Sequence, residues 1–167
     1  MKNFHIEDIK GFMNEFLIQE KYDSFYLYEA RIKTALDYYI NGRVNPEFFD
    51  NSEEMNEFIG DMDKTVQSQV QQYVCWGKVK HTVYELIRGT RLPISFKVVL
   101  MFNRENIVRL VEMNNLPVRT EDVSSLAINV YYENGVLSVT TGTSLKIFTL
   151  DKTLEHLWDE TVEKYYI

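Results

Sequence analysis

An α+β fold, with a mainly antiparallel sheet packed against amphipathic helices, is what this sequence predicts, and three observations carry the prediction. Apolar residues recur at three- and four-residue steps in several separated segments. Runs rich in β-branched and aromatic residues lie between them. Two Asn-Gly dipeptides, at 41–42 and 134–135, can supply the positive φ angles of tight turns. The chain has 167 residues, 45% of them apolar and 14% aromatic, enough for one domain with a substantial core and no need of disulfides. With no Gly/Ser/Pro-rich linker in it, the expected organisation is a single domain over 1–167.

Ile6, Ile9, Phe12, Met13, Phe16 and Leu17 predict an opening amphipathic helix, despite Gly11. From Ser24 to Lys33 the aromatic and β-branched density predicts a strand. The run from Ala35 to Ile40 predicts a second, leaving by a hairpin or an abrupt exit at Asn41-Gly42. Asn51 with Glu54 has the spacing of a reciprocal cap, and Met55, Ile59, Met62, Val66 and Val70 extend a long helix that Gly60 could break. Trp76, Val79, Val83, Leu86 and Ile87 form another apolar stripe, stopped by Gly89 and Pro93. Ile94 to Phe102 fits a mostly buried strand. Asn103 caps a helix through Ile107, Val108, Leu110 and Val111, with Glu105 in its first turn. Leu126 to Glu133, the Asn134-Gly135 turn and Val136 to Thr141 make the clearest hairpin, followed by a third strand over Leu145 to Thr149. Leu154, Leu157, Trp158, Thr161, Val162 and Tyr165 trace one face of a closing helix.

The order of apolar residue, helix, loop, strand and Asn-Gly turn occurs twice, over Phe4 to Gly42 and Phe102 to Gly135, which raises two related helix-plus-hairpin halves as a reading. The segments Tyr22 to Phe25, Glu85 to Gly89 and Thr140 to Asp151 resemble an uncharacterised bacterial family of about this length, over nearly the whole chain. That resemblance implies no activity. Asn129 through Leu145 is similar to a hairpin of bacterial DNA sliding clamps, which implies a clamp-like repeat as the alternative fold.

Catalytic and metal chemistry find little support. His5, His81 and His156 lie on separate elements, and zinc wants three or four convergent ligands. The single cysteine, Cys75, is flanked by Val74 and Trp76 and reads as a buried, inert thiol in a reducing compartment. No serine sits in a Gly-x-Ser-x-Gly elbow, and the dispersed glycines make no phosphate-binding loop. Thr140 to Ser144 is the one small-polar cluster, explained equally by a strand bent at Gly142. No catalytic, cofactor or metal residue is assigned.

Charge is more informative. The 18 Lys+Arg and 25 Asp+Glu leave −7 overall. Glu47, Asp50, Glu53, Glu54, Glu57, Asp61 and Asp63 form a purely acidic stretch, whereas Lys78, Lys80, Arg88, Arg91 and Lys97 form a basic one with only Glu85 opposing. Global negative charge disfavours nucleic acid. The paired tyrosines Tyr38-Tyr39 and Tyr131-Tyr132 should each place one ring inward and one outward, because strand side chains alternate. Outward tyrosines suit interfaces. The expectation is therefore a non-enzymatic cytoplasmic binding or protein-interaction module, partnered by another protein or by a second copy. Its candidate surface comprises Arg88, Arg91, Lys97, Tyr131 and Thr143. The absence of an apolar run among the first ten residues, and of any stretch long enough to span a bilayer, leads us to expect neither secretion nor a membrane role. The rival class is a small-ligand carrier or enzyme whose site assembles from distant residues such as Arg88, Arg91, Tyr131 and Thr143. A clamp-like nucleic-acid protein, in which the basic stretch would line one concave surface, is the third reading.

Overall fold

The computed structural model describes residues 1–59 and 72–167. Strand β1 (Asn3–Ile6) is followed by helix α1 (Ile9–Leu17), strands β2 (Tyr26–Lys33) and β3 (Asp37–Asn41), and helices α2 (Ser52–Ile59) and α3 (Trp76–Ile87). Strand β4 (Ser95–Met101), helix α4 (Arg104–Met113), strands β5 (Val123–Glu133) and β6 (Val136–Leu145), and helix α5 (Thr153–Tyr165) complete it. The strands form one antiparallel sheet in the order β1-β6-β5-β4-β2-β3, so the α+β class is the class observed. Among the described residues no helix is long and apolar enough to cross a membrane.

Short polar side chains start α1, α2 and α4 by satisfying amides that lack a partner in the first turn. Asp8 accepts from the Gly11 amide at 2.9 Å, Asn51 from Glu54 at 2.9 Å, and Asn103 from Asn106 at 2.8 Å. The return bond predicted for the Asn51 cap is displaced by one residue, since Glu54 accepts from the Asp50 amide at 3.1 Å. The predicted continuation of that helix through Gly60, Met62, Val66 and Val70 lies outside the described residues.

The core lies on one face of the sheet. Leu27, Ala30 and Ile32 of β2, Phe96, Val98 and Leu100 of β4, and Leu126, Ile128 and Val130 of β5 alternate inward, as a half-buried antiparallel sheet requires. Helices supply Phe12, Phe16, Trp76, Val83, Leu154 and Trp158 to the same cluster. Each buried large apolar side chain contributes about 1.5–3 kcal/mol relative to exposure. Both indoles satisfy their N–H groups, Trp76 on the Phe16 carbonyl at 2.8 Å and Trp158 on the Ala127 carbonyl at 3.0 Å.

Four expectations need correction. Ile6 does not open the first helix: with Phe4 it alternates inward on β1, opposite Val139 and Leu137, and the helix begins only after the Asp8 cap. Asn41-Gly42 is not a turn. The β2–β3 hairpin reverses at 34–36, and Gly42 lacks a positive φ. Gly42 is required instead because the backbone of β2 passes so close that a Cβ would lie 1.7 Å from the Leu27 carbonyl oxygen. No third strand covers Leu145 to Thr149, and the strand does not bend at Gly142. Gly142 pairs with Ala127 in a register that stays regular from Glu133↔Val136 to Ser125↔Ser144, the one shift lying beyond it between Val123 and Ser125; the chain does not turn back, and beyond Leu145 it leaves the sheet with Phe148 and Leu150 exposed.

The β-α-β-β order does occur twice, as β1-α1-β2-β3 and β4-α4-β5-β6. The pairings differ, however. β4 pairs with β5, whereas β1 pairs with β6 and not with β2, so the two halves share only their hairpins.

Candidate functional site

Among the described residues the core cluster does not extend to the second face of the sheet. Across all six strands the register aligns His5, Ser138, Tyr131, Lys97, Arg31 and Tyr39 in one transverse row. These residues have the opposite parity to the buried ones, which puts them on the open face. Glu29 pins the centre, one oxygen 3.5 Å from Lys97 Nζ and the other 3.4 Å from an Arg31 guanidinium nitrogen. The Arg31 guanidinium also sits 4.8 Å from the Tyr39 ring centre, a cation–π contact. Tyr131 donates its hydroxyl to Glu133 at 3.0 Å, and that bond holds its phenol above the ordinary range.

A register shift between Leu27 and Glu29 leaves Tyr28 unpaired with β4. Such bulges re-aim side chains. Here Tyr28 stacks on Tyr73, with ring centres 5.8 Å apart and 30° between planes. Arg43 Nε reaches the Tyr73 hydroxyl at 3.5 Å, and that hydrogen bond leads the causes that raise its pKa, with Tyr28 and Tyr39 adding to them. Tyr28, Tyr39, Tyr73, Arg31 and Arg43 therefore form a tyrosine–arginine corner beside the row.

Of the surface expected from sequence, the structure brings together Lys97 and Tyr131, which are direct cross-strand partners. Thr143 pairs with buried Leu126 and shares its parity, so it belongs to the helix-covered face. Arg88 follows α3, is ion-paired with Glu85 at 3.0 Å, and lines a groove away from the row. Arg91 is exposed in the loop before β4. The basic stretch likewise does not make one surface. Lys80 is drawn to the end of α1, donating to the Gln19 carbonyl at 2.8 Å and to Asp23 at 2.5 Å, while Lys97 lies on the open face. Sequence reasoning missed Arg31, Tyr28, Arg43 and Tyr73. The two-residue alternation could have placed Arg31 beside Tyr39's face, but the register that aligns them with Lys97 and Tyr131 is a long-range property.

Among the described residues no three His, Cys, Asp or Glu side chains are grouped to hold a metal ion. Cys75 is buried, and desolvation pushes its thiol up, away from the nucleophilic thiolate. What the open face can do is present aromatic area, fixed guanidinium donors and hydroxyls to a broad partner.

No curated protein and no solved structure shows significant similarity to this chain. A model of a family of unknown function does match, over residues 15–167, which includes every residue of the row except His5. The chain belongs to that family, DUF5721.

Proposed function

We infer that this protein is a non-enzymatic, cytoplasmic protein-interaction module that docks another protein on the open face of its sheet. The observation that carries this reading is the transverse row with its tyrosine–arginine corner. Tyrosine and arginine are the side chains most enriched at interfaces, and they dominate binding energy where they cluster. The Arg31 fork is already oriented by Glu29 and Tyr39, so less of its rotamer freedom remains to be lost on binding.

Charge favours a protein partner over nucleic acid. On this face and its corner Arg31, Lys33, Arg43 and Lys97 are opposed by Glu29, Asp37 and Glu133. Nucleic-acid binding draws on several unneutralised cations, each releasing counterions from phosphate. A near-balanced surface suits a polar protein face instead. The lone buried thiol supports a reducing compartment.

Site-specific photocrosslinking tests the reading. A photoreactive residue at Ser138 should yield a discrete protein adduct in cells, whereas one at Glu112 on α4 should not. Arg31→Glu should abolish the adduct, and the purified partner should bind Tyr39→Ala about tenfold or more weakly. Equal adducts from Glu112, or adducts indifferent to Arg31→Glu, would refute the open face as the docking surface.

A further inference from the structure

On the other side of the molecule, α1 and the end of α3 leave a groove of about 520 Å³ between them. Ile9, Met13 and Leu17 form one wall, while Ile87, Leu92 and Pro93 form the other. The floor is the stacked pair Phe96 and Tyr132, with ring centres 5.2 Å apart and 12° between planes. A mostly apolar cleft of this size with a few polar groups is the usual form of a small-molecule site.

Three polar features give the groove a direction. Lys10 and Arg88 both line it, Arg88 in its exposed ion pair with Glu85 at 3.0 Å, and none of the lining residues is acidic, although the protein carries −7 overall. Lys10 makes no ion pair among the described residues, so its ammonium is available. Tyr132 lines the groove, and its hydroxyl, which has no hydrogen-bond partner among the described residues, is accessible to solvent.

We propose that this groove binds a single apolar chain ending in an anionic head, an alkyl carboxylate, with the chain along Met13, Leu17 and Phe96. Lys10 and Arg88 hold the carboxylate at the rim, and the Tyr132 hydroxyl adds a donor. Burial of the chain supplies non-directional affinity, and the cations select the sign of the head group. The site is separate from the open face and stands or falls independently of it.

Titration calorimetry on the full chain tests the proposal, with dodecanoate below its micellar concentration and dodecyltrimethylammonium as the cationic counterpart. Saturable binding of dodecanoate, about tenfold or more tighter than the ammonium, is expected. Lys10→Glu/Arg88→Glu should weaken dodecanoate about tenfold or more and remove the preference. Tyr132→Phe keeps the ring and the fold and should cost about two- to tenfold. No saturable binding, equal affinity for the two head groups, or dodecanoate affinity unchanged in both variants would overturn it.

Discussion

Tyr131 and Tyr132 are adjacent in sequence and have opposite fates. Tyr132 is 6% exposed, stacks on Phe96 and belongs to the core; Tyr131 is 41% exposed and stands in the polar row of the open face. The same residue type is thus held by packing on one face of the sheet and left for recognition on the other. What the difference teaches is where selection by stability ends. A substitution on the helix-covered face loses dispersion contacts and leaves a void, whereas one on the open face exchanges protein contacts for water.

The largest effect that tests this contrast is Tyr132→Ala, which should cost about 3–5 kcal/mol in denaturant unfolding, as for other large aromatic truncations in cores. A loss below about 1 kcal/mol would mean that the groove above it tolerates the void and the two faces are not distinct in this sense. Next comes Gly42→Ala. Its Cβ would collide with the Leu27 carbonyl, so about 1–3 kcal/mol should be lost, while Gly142→Ala, whose Cβ meets Ala127 at an ordinary 3.9 Å, should be near neutral. Gly135→Ala should cost about 1 kcal/mol, from strain at φ +79 and not from crowding, since nothing lies within 4 Å.

Alkaline pH separates buried from exposed phenols. Tyr22 is fully buried, donates to the Tyr166 carbonyl, and has its phenol pushed up by burial first and by Glu15 second. A phenol raised on folding supports the native state fully below the unfolded value of about 10. Above that the unfolded chain sheds a proton that the folded one keeps, so stability should fall as pH rises. Unfolding midpoints at about pH 9 and pH 11 should show this drop, and Tyr22→Phe should make it shallower. The smallest effect is on the open face, where Tyr131→Ala should stay within about 0.5 kcal/mol of the parent in the same unfolding assay. A larger loss would mean that the row is structural and weaken the docking reading.

Much of the fold was legible because its signals are local. The Asn103 cap, the Asn134-Gly135 turn with φ of 52 and 79, and the inward and outward alternation of the tyrosine pairs each depend on a few neighbouring residues. Tyr38 packs against the core and Tyr39 is exposed, as the two-residue period requires. The four-residue β1 was not legible, because Ile6, three residues before Ile9, also continues the helical stripe of α1 and only its partners on β6 reveal the strand. The Asn41-Gly42 dipeptide misled for a related reason. Its glycine serves a close backbone approach from Leu27, fifteen residues earlier in the numbering, which no local rule detects. The candidate surface was half legible: Lys97 and Tyr131 were anticipated, but Arg31, Tyr28, Arg43 and Tyr73 join them only through register and a bulge.

By itself the sequence determined the α+β class, most helices and strands, and the inward and outward alternation of the tyrosine pairs, since these follow from periods of 3.6 and 2 and from caps and turns. Strand order, the pairing of β1 with β6, the gathering of six strands' side chains into one row and the groove between α1 and α3 were decided only by the tertiary structure. The physical reason is that these depend on contacts between residues far apart in the chain, whose loop-closure cost is repaid by burial of the whole core together and is encoded in no single segment.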